Sequence, residues 1–151
     1  VESNGVLLAA SSHGILKSTD DGETWVRVIS EGVAGNSVEH IDGGFAVIAH
    51  SIITKTDKGY ISLDNGKTWN DVGTGLPSSW SFKNIFGSQP QYISSLKQAG
   101  KYLICASSDG VFRSPDMGKT WEKITLPAVE NKGFSLSASG NVIYAMPNKG
   151  C

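Results

Sequence analysis

The chain has 151 residues, 39% of them hydrophobic and 18% charged, which is the composition of a globular domain and excludes a disordered or collagen-like protein. Its formal net charge of -1 at pH 7 gives no general attraction to nucleic acid or to an anionic membrane surface. No apolar stretch in the sequence is long enough for a membrane-spanning helix, and 18 glycines favour a chain with many tight turns.

Short apolar runs recur along the chain, and each precedes a polar turn. They cover residues 6–10, 45–49, 102–106 and 141–146. Further β-like runs precede the last three at 37–41, 91–96 and 134–138, and a strand follows each of three longer turns at 25–29, 69–72 and 121–126. Residues 1–4 are too few to supply a strand ahead of the first run. Because no window sustains the apolar spacing of a helix, an all-β fold is predicted.

Three of the turns share the pattern S-x-D-x-G-x-T-W, and we call these segments, 18–25, 62–69 and 114–121, the box turns. Their shared residues are Ser18, Asp20, Gly22, Thr24 and Trp25; Ser62, Asp64, Gly66, Thr68 and Trp69; and Ser114, Asp116, Gly118, Thr120 and Trp121.

Each shared position in a box turn has a physical reason. The glycine accepts a positive φ without a Cβ clash, and the aspartate can accept hydrogen bonds from turn amides. The serine and threonine hydroxyls can satisfy further backbone groups. The tryptophan brings a large apolar surface to pack against neighbouring sheets. The box turns are therefore predicted to be folding elements rather than active sites.

The motif resembles the Asp-box, or bacterial neuraminidase, repeat. The resemblance implies a β-propeller of four-stranded antiparallel blades with a box turn between the third and fourth strands of each blade. Three boxes predict about three and a half blades, at approximately 1–30, 36–73, 90–127 and 133–151, incomplete at both ends. A longer chain, self-association or a second chain is expected to complete the ring.

Members of this family include sialidases, xyloglucan-active glycoside hydrolases, sortilin-type receptors and photosystem II assembly factors, so the fold does not fix the activity. A secreted, periplasmic or cell-surface location is what the resemblance implies.

Candidate ligand-binding residues lie in the connections at the blade end opposite to the box turns. They are His13, His50 and Asp109, with Trp80, Phe82 and Lys83 in the long connection 73–90. Each has a structural alternative: the aromatic side chains could fill a seam between blades, Asp109-Gly110 is a turn signal, and the two histidines could be solvated.

Catalytic residues are not assigned. A sialidase-like site needs three arginines, whereas the chain has only Arg27 and Arg113, and no pair of carboxylates can be defended for hydrolysis. No metal or cofactor is predicted, and Cys105 is expected to be a buried free thiol.

The leading hypothesis is a non-catalytic propeller module that binds glycan or protein. The alternative is a segment of a glycoside hydrolase whose catalytic residues lie partly outside this chain. A structural assembly factor with a protein partner is the third possibility.

Overall fold

The computed structural model describes residues 1–29, 33–53, 56–72, 93–107, 110–126 and 134–147. Within these ranges the chain is all-β, with fourteen strands and no helix, as the sequence predicts. The chain divides into two compact units, Val1–Gly73 and Thr74–Cys151, and each is described by itself.

The first unit contains two four-stranded antiparallel sheets. The first sheet comprises β1 (Glu2–Ser3), β2 (Val6–Ser11), β3 (Gly14–Ser18) and β4 (Val26–Ile29). The second comprises β5 (Val33–Ile41), β6 (Gly44–Ser51), β7 (Thr56–Ser62) and β8 (Asn70–Asp71). In both sheets the spatial order of the strands is their order in the chain.

The second unit contains the third sheet and a two-stranded fourth sheet. The third sheet comprises β9 (Ile93–Ala99), β10 (Tyr102–Ser107), β11 (Gly110–Ser114) and β12 (Glu122–Ile124), again in chain order. The fourth pairs β13 (Phe134–Ser139) with β14 (Val142–Pro147).

The core of the first unit lies between its two sheets. Five buried side chains form its centre, namely Val6, Leu8, Ile15, Phe45 and Val47. The sheets approach closely beside β5, where a Cβ added to Gly35 would lie 2.7 Å from Cδ1 of Ile15 and 2.9 Å from the Gly14 carbonyl oxygen. Only glycine fits this contact without displacing its neighbours.

The core of the second unit lies between the third and fourth sheets. Its buried members are Ile104, Ala106, Val111, Phe134 and Leu136. The Ser94 hydroxyl donates a hydrogen bond of 2.6 Å to the Phe134 carbonyl and so links the two sheets. Cys105 is a buried free cysteine, which confirms that prediction.

The strand before the first apolar run was predicted to be missing, and that prediction was wrong. Glu2 and Ser3 pair with Leu7 and Val6 to form a short edge strand. The Val1 nitrogen also donates to the Leu8 carbonyl at 3.0 Å, so the first residues are tied to the sheet. Two residues therefore suffice when the Asn4-Gly5 turn has positive φ at both positions.

Strand order decides which turns share an end of each sheet. Because consecutive strands are antiparallel neighbours, the first and third turns of a four-stranded sheet lie at one end and the second turn at the other. We call these the box end and the opposite end. The box turns and the candidate residues His13 and His50 therefore lie at different ends of their sheets, as predicted.

Candidate functional site

The backbone of each box turn passes through the left-handed region at two consecutive residues. The glycines have φ of 91° at Gly22, 74° at Gly66 and 88° at Gly118, as predicted. The residue before each glycine also has a positive φ, and these residues are Asp21, Asn65 and Met117. Asp and Asn tolerate this region better than other side chains do, so Met117 is the least suitable of the three residues for its backbone conformation.

The serine of each box turn is buried and makes three hydrogen bonds, the longest of which its Oγ accepts from the amide of the box aspartate at 3.4 to 3.5 Å. Its Oγ accepts the amide of the glycine four residues later, at 2.9 Å in the first turn, 2.8 Å in the second and 2.7 Å in the third. The same hydroxyl donates to Oδ1 of the box aspartate, at 2.7, 2.7 and 2.9 Å. One buried hydroxyl thus joins the end of the third strand to the turn.

The aspartate of each box turn accepts hydrogen bonds on both carboxylate oxygens. Oδ1 accepts the threonine amide at 2.9, 2.9 and 2.8 Å, and Oδ2 accepts the threonine hydroxyl at 2.5, 2.6 and 2.7 Å. The threonine hydroxyl therefore serves the carboxylate and not a backbone group, contrary to expectation.

These hydrogen bonds lower the pKa of all three box carboxyls. The Thr24 hydroxyl, followed by the Thr24 amide and the Ser18 hydroxyl, lowers the pKa of Asp20 from 3.8 to about 2. The pKa of Asp64 and that of Asp116 are lowered for the same reasons, with the threonine hydroxyl as the largest cause. A general acid or base works best with a pKa near the working pH. The box aspartates are therefore suited to holding a turn and not to proton transfer.

The box tryptophans share a position but differ in their surroundings. Trp25 is 42% exposed, and its indole N–H donates to the Gly22 carbonyl at 3.0 Å. Trp69 packs against the core of the first unit, and its buried Nε1 has no hydrogen-bond partner among the described residues. The carbonyl of Gly66, which corresponds to that of Gly22, instead accepts Nζ of Lys17 at 3.3 Å.

The opposite end of the second sheet differs from that of the other four-stranded sheets. Its β6–β7 hairpin continues beyond Ala49 and Lys58 by two cross-strand pairs, His50 with Asp57 and Ser51 with Thr56. At the tip, Ile52 and Ile53 are exposed, Ile53 by 77%. This hairpin presents apolar side chains to solvent at the end where ligand-binding residues were predicted.

A histidine and a carboxylate meet within this hairpin. Nδ1 of His50 lies 2.9 Å from Oδ1 of Asp57, whose side chain is fully buried. A buried carboxylate needs hydrogen-bond partners to offset its lost hydration. His50 is thus structurally coupled to Asp57 and is not a solvated turn histidine.

His13, the other predicted histidine, is exposed in the two-residue turn of the first sheet. Its Nδ1 lies 2.9 Å from the Ser12 hydroxyl. Within the described ranges, no three His, Cys, Asp or Glu side chains are grouped to hold a metal ion. Arg113 lies on β11, as expected of a strand position, and its Nε donates to Glu122 on β12.

Four predicted candidates, Trp80, Phe82, Lys83 and Asp109, lie outside the described residues. The His50–Asp57 pair was missed at the sequence level, although one signal pointed to it. The second apolar run is five residues farther from its box serine than the first and third runs are, and the excess extends this hairpin.

Comparison with family models matches residues 60–71 to the BNR/Asp-box repeat. This segment covers the end of β7, the second box turn and β8. The repeat occurs in glycoside hydrolases and in surface proteins. No curated protein matches the chain. No helix among the described residues is long and apolar enough to cross a membrane.

Proposed function

We propose that the chain is a segment of an Asp-box β-propeller that binds a glycan or protein ligand and performs no catalysis itself. One observation carries this proposal: the three box turns are nearly identical, whereas the opposite end of the second sheet has a longer hairpin than the first and third sheets have. A shared end whose polar groups bond to one another serves the fold, and a variable end serves recognition.

The internal hydrogen bonds of the box turns support the non-catalytic part of the proposal. Both oxygens of each box carboxylate already accept hydrogen bonds, and their lowered pKa values make them weak bases. The carboxylate of Asp57, buried in the second sheet, is paired with His50.

The opposite ends support the recognition part. Exposed isoleucines at the tip of the β6–β7 hairpin provide apolar contact area, and His13 adds an exposed polar ring in the first sheet. Trp80, Phe82, Lys83 and Asp109 remain candidate ligand-binding residues by their place in the repeat, and they lie outside the described residues. Because the Asp-box repeat is typical of extracellular proteins, we place this surface on a secreted, periplasmic or cell-surface protein.

Indole N–H resonances offer a direct test, since the chain has four tryptophans. On titration with sialyllactose or a xyloglucan oligosaccharide, we expect the Trp80 resonance to shift and the three box resonances to stay in place. Trp80→Ala should abolish binding, and Trp25→Phe is the matched control.

Product analysis of the same mixtures separates binding from hydrolysis. Release of sialic acid or shorter oligosaccharides by the purified chain would contradict the non-catalytic proposal. Binding that perturbs only the box resonances would place the ligand at the wrong end of the sheets.

A further inference from the structure

The strand register defines equivalent positions in all four sheets. Each second strand begins opposite the last residue of the first strand, as Ser3 is opposite Val6 and Ser139 is opposite Val142. Counting from this pair, Tyr144 corresponds to Leu8 of the first sheet and Ile104 of the third. Met146 likewise corresponds to Ala106 of the third sheet.

The two sheet interfaces obey one rule. In the first unit, Val6 and Leu8 on β2 pack against Phe45 and Val47 of the following sheet. In the second unit, Ile104 and Ala106 on β10 pack against the following sheet, including Ile143 and Ala145. We call the side that meets the next sheet the forward face and the side that meets the previous sheet the rear face. Alternate residues of each second strand therefore belong to opposite faces.

The forward face of the fourth sheet is exposed, and it is apolar along β14 and carries Ser135, Ser137 and Ser139 along β13. Its residues on β14 are Val142, Tyr144 and Met146, exposed by 52%, 56% and 54%. Four of their six equivalents on β2 and β10 lie within cores, namely Val6, Leu8, Ile104 and Ala106, whereas Tyr102 is partly buried and Ala10 is exposed. Residues 134–147 also include no charged side chain, although charges commonly protect an exposed strand edge. This hairpin therefore has the composition of a buried element.

The rear face of the first sheet has the complementary feature. Leu7, Ala9 and Leu16 are only partly buried, and Trp25 is exposed. The equivalents of Leu7 and Ala9 in the second sheet are Phe45 and Val47, which are fully buried against a preceding sheet. Trp69, the equivalent of Trp25, packs against the same core.

We propose that the forward face of the fourth sheet docks on the rear face of the first sheet in a second copy of this chain. The occupant is a second copy because every copy carries both halves of the interface. The contact repeats a geometry that the chain already uses twice. Tyr144 on the forward face takes the place of Leu8, and Leu7 on the rear face takes the place of Phe45. Contiguous exposed apolar residues of this kind mark interaction sites.

A head-to-tail contact of two different faces leads to rings or open chains of copies. It does not rest on ligand binding at the opposite ends, so it can fail or succeed separately from the proposed function. Because each face is removed by a different substitution, the proposal also predicts how a mixture of a forward-face variant and a rear-face variant associates.

The first test is molar mass by light scattering during size exclusion, from micromolar to millimolar chain. The unaltered chain should have a mass of two or more copies. Tyr144→Lys should give a monomer by removing the forward face, and Trp25→Lys or Leu16→Glu should do so by removing the rear face. Leu63→Lys, which changes an exposed side chain of the second box turn that belongs to neither face, is the control and should keep the mass unchanged. Circular dichroism confirms that each variant is folded.

The second test mixes Tyr144→Lys with Trp25→Lys. The first variant retains an intact rear face and the second an intact forward face, so the mixture should form a dimer that grows no further. If the unaltered chain is monomeric at every concentration, the proposal is overturned, and the two faces do not pack against a second copy. Association that survives both substitutions, or a mixture that remains monomeric while the unaltered chain associates, would also overturn it.

Discussion

The first and second sheets carry the same box turn yet place its tryptophan in different environments. The hydrogen-bond lengths in the two turns agree closely, so the local sequence determines the turn. Trp25 is exposed and Trp69 packs in a core because a sheet lies against the rear face of the second sheet. The repeat thus specifies a conformation, and the neighbouring sheet determines how much stability that conformation contributes.

The largest expected difference concerns the tryptophans themselves. Trp69→Ala should lower the free energy of unfolding by about 3 kcal/mol, because a large side chain leaves a packed interface. Trp25→Ala should cost less than about 1 kcal/mol, because its ring is already partly in water. Urea denaturation of the two variants measures both values. Equal losses would show that the tryptophan stabilises the turn alone and that the neighbouring sheet is unimportant.

The box serines should give a smaller difference in the same direction. Ser62→Ala removes the acceptor of the buried Gly66 amide and should cost about 2 kcal/mol. Ser18→Ala should cost about 1 kcal/mol, because the Gly22 amide is only partly buried and gains some hydration. Thermal unfolding followed by circular dichroism compares them, with Ser12→Ala as an exposed control. A larger loss for Ser18→Ala would contradict this ranking.

A third difference between the first and second box turns lies in the pKa of their carboxyl groups and appears only at acid pH. The folded pKa of Asp20 is lowered to about 2 from 3.8, so its contribution is complete above the unfolded value and is lost as the pH falls through about 2. The pKa of Asp64 is lowered further, and Asp64 accepts an additional hydrogen bond from the Lys67 amide. Carboxyl carbon chemical shifts should show Asp20 protonating at a higher pH than Asp64. Simultaneous titration near pH 4 would indicate that neither carboxylate holds its turn.

The smallest effect extends the comparison to the third box turn. Met117→Asn should raise the free energy of unfolding by about 1 kcal/mol, because Asn tolerates positive φ better than Met does. The reverse change in the second turn, Asn65→Met, should lower it by a similar amount. Chemical denaturation provides both numbers, and a destabilised Met117→Asn variant would indicate a packing role for this methionine.

Most of the fold follows from residue patterns that act locally. Alternating apolar runs predicted the strands. The spacing of Ser, Asp, Gly and Thr predicted the box turns, because the hydrogen bonds of a box turn join residues at most four apart. The first strand was missed because two residues carry no periodic signal, although Asn4-Gly5 is a hairpin turn. The start of β5, four residues before the predicted run, was missed because Val33 to Asn36 include a glycine and no alternation.

The candidate site was less predictable because it depends on contacts across strands. His50 was identified by its position, but its buried partner Asp57 follows from the register of a longer hairpin. The exposure of Trp25 depends on which sheet covers it, and no residue near Trp25 encodes that information. Patterns within eight residues therefore predict turns well and predict environments poorly.

The short range of the box-turn hydrogen bonds has a consequence for folding. A turn that satisfies its own serine, aspartate and threonine closes only a small loop, so it costs little chain entropy and can form early. The formed turn then fixes the register of the two strands that it joins, before any neighbouring sheet has been synthesised. Folding in this chain is expected to advance one sheet at a time from the N-terminus, which restricts misregistered pairing between repeats of similar sequence.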